Sequence, residues 1–186
     1  TTLIIPEGIT SIANDTFSGC TSLTAVSIPS SVTTINDRAF SCCSQLTDVR
    51  ISDGVSEISY DAFSYCTSLT KFSVSKNNAL YMAYGGDIYT RDGKTLAMCA
   101  PGKTEISIPK GVTAIGDGAC AYMQNLTTAT IPDGITDIGD YAFMDSKLTK
   151  IEIPGSVTTI EESAFKESCI TEITIPGNVK TIGENA

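Results

Sequence analysis

Leu23-Thr24-Ala25-Val26-Ser27-Ile28-Pro29-Ser30-Ser31-Val32-Thr33-Thr34-Ile35-Asn36-Asp37-Arg38-Ala39-Phe40-Ser41-Cys42-Cys43 is one unit of a phrase that recurs, with substitutions, along the whole chain. Pro6, Pro29, Ser52 and Ser75 share one column at a spacing of 23 residues; Pro109 and Pro132 continue it at 23, and Pro154 and Pro176 at 22. A period of this length marks a solenoid, in which each coil hides its apolar face only against its neighbours. The first residues already read as the second half of a unit and the last stop inside another, as in an excerpt of a longer array.

Each unit dictates its own geometry. In Leu46-Thr47-Asp48-Val49-Arg50-Ile51 the alternation puts Val49 and Ile51 on one face of a short strand and Asp48 and Arg50 on the other, so one strand per coil builds a parallel sheet. A second apolar pair follows, Val55 and Ile58, repeated as Val32/Ile35, Val112/Ile115, Ile135/Ile138, Val157/Ile160 and Val179/Ile182. Ala39, Phe40 and Cys43 then stand at i, i+1 and i+4, a helical spacing that predicts a helix of a turn or two per coil. So short a helix draws its order from packing, here of Phe17, Phe40, Phe63, Phe143 and Phe165 in a shared ladder. Asn14, Asp37, Asp117, Asp140, Glu162 and Glu184, with Tyr60 the exception, fall where those helices would begin, and read as caps. Asp133, Asp137 and Asp140 lack the spacing of a calcium loop. The expected fold is an α/β repeat solenoid: a right-handed arc with a parallel sheet on one face, short helices on the other and one hairpin interruption, residues 1–186 forming a single domain.

Composition narrows the function. The 186 residues carry a net charge of −9 and no histidine, so there is no basic face for a phosphate backbone and no imidazole for base catalysis or metal ligation. Nucleic acid is disfavoured as a partner. The apolar runs are far too short for direct membrane insertion. Of the seven cysteines, Cys20, Cys43 and Cys66 form a column and Cys120 stands in the phenylalanine column. Stacked side chains point the same way rather than at one another, which favours buried free thiols. Cys42, Cys99 and Cys169 lie off the column, and the odd total argues against a complete disulfide framework.

Residues 76–104 break the period. Ser75 and Pro109 are 34 residues apart and the Ala-Phe phrase is lost. Asp87-Ile88-Tyr89-Thr90 and Thr95-Leu96-Ala97-Met98 read as two strands joined through Asp92-Gly93, a strong hairpin signal. Gly93-Lys94-Thr95 imitates the end of a phosphate loop, but Ile88 stands where that loop needs glycine, and nucleotide binding is rejected. Tyr81, Tyr84 and Tyr89 either cover core where the phenylalanine ladder is missing or form a binding patch.

The phrases Ile28-Pro29-Ser30-Ser31-Val32-Thr33-Thr34-Ile35 with Ala39-Phe40, and Ile153-Pro154-Gly155-Ser156-Val157-Thr158-Thr159-Ile160 with Ala164-Phe165, resemble leucine-rich repeats of the BspA-like type, known from surface proteins of bacteria and some protozoan parasites. Asn77 and Asn178 keep the asparagine of ordinary leucine-rich repeats; Gly8, Ser31, Gly54, Gly111, Gly134 and Ser156 replace it, and glycine there suggests a positive-φ turn. The resemblance implies a solenoid displayed at the cell surface or secreted, with adhesion or recognition of an extracellular protein or glycan as its role and no catalytic, cofactor-binding or metal residues. Core columns must repeat, so partner choice falls to outward strand positions or to the interruption. The candidate contacts are Asp48, Arg50, Lys71 and Glu105 on the inner sheet, and Tyr81, Tyr84 and Tyr89 at the hairpin. A rigid spacer in a larger surface protein is the alternative; a polysaccharide-processing enzyme fits less well, because no groove of converging carboxylates and basic residues is evident.

Overall fold

The structure, a computed structural model, describes residues Thr1–Ala186. Before the interruption one row of parallel strands comprises β1 (Thr2–Ile4), β3 (Ala25–Ser27), β5 (Asp48–Ile51) and β7 (Phe72–Val74), and a second row β2 (Ser11–Ile12), β4 (Thr34–Ile35) and β6 (Glu57–Ile58). The interruption holds β8 (Tyr81–Tyr84), β9 (Asp87–Thr90) and β10 (Thr95–Met98). Beyond it, β11 (Glu105–Ser107), β13 (Thr128–Thr130) and β15 (Lys150–Ile151) resume the first row, and β12 (Ala114–Ile115), β14 (Asp137–Ile138), β16 (Thr159–Ile160) and β17 (Thr181–Ile182) the second. Register equals the sequence period: Ala25 faces Asp48, Val26 faces Val49, and Glu105 faces Thr128. Slipping by one residue would turn every apolar side chain outward, so burial of one face holds the register.

No helix forms. The Ala-Phe segments are chains of turns whose backbone bonds alternate in direction. Ala39, Ser41 and Cys43 donate to carbonyls three residues back in their own coil, at 3.2, 3.0 and 3.3 Å, while Phe40 and Cys42 donate to Ala62 and Ser64 of the next coil at 2.8 and 2.9 Å. The left-handed φ of Arg38 (52°) and Cys42 (59°) turns those amides outward, and Asp15, Tyr141 and Ser163 repeat it at 57°, 58° and 53°. A helix would close these bonds internally and leave adjacent coils unjoined; the i, i+1, i+4 spacing is satisfied by either backbone, and stacking selects the turns. The acidic column caps neighbouring coils rather than helices: Asp117 accepts the Asp140 N–H at 3.1 Å and Asp140 the Glu162 N–H at 2.9 Å.

The phenylalanine ladder is present, with ring centroids 5.2 Å apart for Phe17–Phe40 and Phe40–Phe63 and 5.5 Å for Phe143–Phe165. Between its two stretches stands a disulfide joining Cys99 to Cys120, with Cα atoms 5.2 Å apart. Cys99 donates its N–H to Ala119 as Phe40 does to Ala62, so it holds a ladder position despite its irregular spacing. The β9–β10 register slips between Leu96 and Met98, and this bulge re-aims the chain toward Cys120, which the column argument for free thiols did not foresee. Cys43 and Cys66 are buried and reduced; Cys20 is reduced but exposed, where the column predicted burial. In native protein Cys20, Cys42 and Cys169 are therefore expected to react with a thiol reagent. Denaturation without reductant should bring the titre to five, and replacing both Cys99 and Cys120 by serine should cost about 3 kcal/mol in chemical denaturation for a separation of 21 residues. Seven titratable thiols in the denatured protein would show the bridge to be absent.

The interruption is a three-stranded antiparallel meander rather than one hairpin. The β9–β10 pair joined through Asp92-Gly93 is present, and β8 adds a third strand through the Gly85-Gly86 turn. The meander extends the second row of the C-terminal half by pairing β10 with β12. Its side chains serve two cores: Ile88 and Met98 pack into the N-terminal cluster, Tyr89 and Leu96 into the C-terminal one. On the turn face, Tyr60 spans the missing Ala-Phe segment to reach Tyr122 and Tyr141 at 6.3 and 5.9 Å. It crosses Gly118, where a Cβ would meet its ring, which accounts for both departures from the repeat.

Candidate functional site

The first row of strands is not continuous. β7 ends the N-terminal sheet, and the next strand of that row, β11, begins a separate one. The Gly85-Gly86 turn enters the gap: Gly86 accepts the Phe72 N–H at 2.8 Å, and its φ of 90° and close approach to Lys71 and Thr70 leave no room for a side chain. Between this turn and β11 lies a hollow of about 320 Å³ walled by Tyr84, Tyr89, Lys103, Glu105, Ser107 and Thr128.

Its inner wall is pinned by a buried ion pair. Lys103 Nζ lies 2.6 Å from Asp87 Oδ2 and donates to the Gly85 carbonyl at 2.7 Å, while Asp87 Oδ1 accepts the Ala100 N–H at 2.9 Å. Burial raises the Asp87 carboxyl above the usual carboxylate range and outweighs the opposing pull of Lys103 and of its hydrogen bonds. Asp87 is thus engaged in holding the turn. Tyr84 forms the outer wall, 58% exposed, and the buried Tyr89 braces it edge to face at 6.3 Å.

The sequence candidates divide. Tyr84, Tyr89 and Glu105, drawn from both the hairpin and the inner sheet, line this one hollow. Lys71 is exposed beside it, under the Gly86 turn. Tyr81 is half-buried against the N-terminal core, its hydroxyl 3.4 Å from the Ser56 carbonyl. Asp48 and Arg50 lie on the N-terminal sheet and pair with each other at 3.4 Å, in a solvent-exposed contact of little energetic weight. Asp48 and Lys71 form no ion pair, and neither do Lys150 and Glu172, although the latter two meet through their backbones. Sequence reasoning passed over Asp87 and Lys103. Their signal was a charged residue directly after each of two turns, Gly85-Gly86 and Pro101-Gly102.

Parallel strands repeating once per coil, an apolar ladder behind them and a polar hollow on the strand face define a leucine-rich-repeat solenoid. The BspA type leucine rich repeat region matches in six copies over residues 1–84 and 97–186, and the chain belongs to that family. The gap between those matches falls on the meander. Among solved structures, a leucine rich cell surface protein from Faecalibacterium prausnitzii is similar over the whole chain at 28% identity (TM-score 0.69), and a leucine-rich repeat protein from Eubacterium ventriosum over 98% of it at 25% identity (TM-score 0.60). The chain spans 60% and 59% of their lengths. The pneumococcal vaccine antigen PcpA shares the fold over 87% of the chain and 47% of its own length, at 22% identity and TM-score 0.69. No curated protein sequence matches significantly.

Proposed function

We propose that this chain is a recognition module of a bacterial surface protein, engaging an extracellular protein or glycan for adhesion, with the hollow between β7 and β11 as the centre of contact. The supporting observation is the convergence of Tyr84, Tyr89 and Glu105 at the one place where the inner sheet is broken. An exposed, braced aromatic ring beside a carboxylate is an anchor, and the rest of this small-residue face has few. The similarity to a cell surface protein from Faecalibacterium prausnitzii supports display outside the cell. The Lys103 ammonium and the Asp87 carboxylate in the wall are engaged with each other and hold the turn, which leaves Tyr84 and Glu105 to meet a ligand.

The test is a screen of the immobilised chain against extracellular-matrix proteins and glycans. Any confirmed ligand is expected to lose about tenfold or more in affinity with Tyr84→Ser or Glu105→Lys, while circular dichroism shows the fold unchanged. A ligand indifferent to both substitutions would place the contact elsewhere; no ligand at all would leave the chain as a spacer.

A further inference from the structure

The hollow beside Tyr84 is one end of a longer groove. It shares Thr128 and Thr130 with a second hollow, which shares Lys150 and Glu152 with a third ending at Glu172 and Thr174. The groove therefore follows the strand face of the C-terminal half across four successive coils, perpendicular to the strands.

Its hydroxyls differ from those at the coil corners. At the coil corners the threonines bond the preceding coil: Thr127 donates to Thr104, Thr136 to Thr113, Thr149 to Thr127 and Thr158 to Thr136, at 3.1 to 3.4 Å. On the groove floor the side chains of Ser107, Thr128 and Thr130, with those of Glu105, Lys150 and Glu152, are exposed and make no hydrogen bond within the chain, and the three ion pairs of the molecule do not involve them. In the N-terminal half the corresponding charges, Asp48 and Arg50, pair with each other. The strand face of the C-terminal half thus presents a row of free donors and acceptors, closed at one end by the Tyr84 ring.

We propose that this groove binds a linear, uncharged glycan running along the solenoid axis, an inference that rests on the recognition reading above. Three features point to it. The coils repeat every ~4.8 Å, close to the length one pyranose adds to a linear chain, so each successive sugar meets a fresh pair of polar side chains, Glu105 and Ser107, then Thr128 and Thr130, then Lys150 and Glu152; an extended peptide, rising about 3.3 Å per residue, falls out of step with them. The floor offers hydrogen-bonding groups without the large apolar pockets that protein partners require, and its one aromatic platform suits the C–H face of a sugar ring. Among the lining side chains Glu105, Glu152 and Glu172 outnumber the free cation Lys150, Lys103 being neutralised by Asp87 and Lys71 standing outside the lining beside the Tyr84 end, so the groove is net negative and disfavours sulfated and carboxylated glycans.

Calorimetry of the 186-residue chain with cello-, xylo-, manno- and chito-oligosaccharides of increasing length, alongside heparin and hyaluronan, tests this. Affinity for at least one neutral series should rise with length and level off at roughly four sugars, one per coil at the ~4.8 Å strand spacing. Tyr84→Ser and Glu152→Ala should each weaken it by about tenfold or more. Heparin or hyaluronan binding more tightly than every neutral series would overturn the proposal. So would a protein ligand sensitive to Tyr84→Ser when no neutral glycan binds, although the recognition reading would then stand; absence of any ligand would remove both.

Discussion

Phe40→Ala is expected to cost about 3–5 kcal/mol in urea denaturation, the largest loss of any single truncation in the N-terminal half. Phe40 is fully buried and stacked between Phe17 and Phe63, each 5.2 Å away, with interplanar angles of 19° and 2°. Removing it takes the contact face from two further rings as well as its own buried surface. The cavity cannot collapse, because the Phe40 backbone is held by its N–H bond to Ala62 and by flanking turns that bond coil to coil. Phe17, only partly buried in its end coil, should cost less when truncated in the same way. A loss below about 1 kcal/mol for Phe40→Ala would show that the ladder does not carry the fold.

Lys103→Met is expected to cost about 3 kcal/mol at pH 7, because it leaves the Asp87 carboxylate buried without its cation and removes the donor that holds the Gly85 carbonyl. The pH dependence identifies the cause. The Asp87 carboxyl already sits above its ordinary value through burial, and loss of the ammonium pushes it higher. Over the range between its ordinary and raised values the folded state binds more protons than the unfolded state, so the favourable contribution of protonated Asp87 is complete below the ordinary value and is lost as pH rises through the raised one. The penalty of Lys103→Met should therefore be largest at neutral pH and shrink on acidification, while Asp87→Asn introduced into Lys103→Met should recover most of it at pH 7. A penalty that is constant with pH would mean that the lysine acts through its contact with Gly85 alone.

The meander and the ion pair explain why part of the site was legible in sequence and part was not. Loss of the Ala-Phe phrase after Ser75 marked residues 76–104 as the segment free of the repeat, and strand alternation marked Glu105 as outward-facing. Neither signal could say that the two meet. Tyr84 and Glu105 come together only because the Gly85-Gly86 turn folds back beside β7, an arrangement held by the Phe72 N–H and by Lys103 reaching across to Asp87. Those contacts link residues 14 to 18 positions apart with no shared period.

What the sequence determined by itself was the period and the columns that it stacks. The first row of strands, the apolar columns, the phenylalanine ladder and the parallel register all follow from a period of 22 or 23 residues acting on side chains that alternate in and out of a pleated sheet, whereas the second row, at the Val55/Ile58-type pairs, was not expected from one strand per coil. The positive φ expected of the glycines that replace the repeat's asparagine is taken by Gly8, Gly111 and Gly134 at 97°, 99° and 106° but not by Gly54, where glycine instead allows close approach to the Ser30 carbonyl. Tertiary structure decided whatever depends on where a hydrogen bond finds its partner. The Ala-Phe segments turn rather than coil into helices because alternate amides bond to the next coil, and Cys99 meets Cys120 because a bulge redirects one strand. The hydroxyls of the groove floor stay free because they project from the strand face, whereas those at the corners reach a carbonyl of the preceding coil.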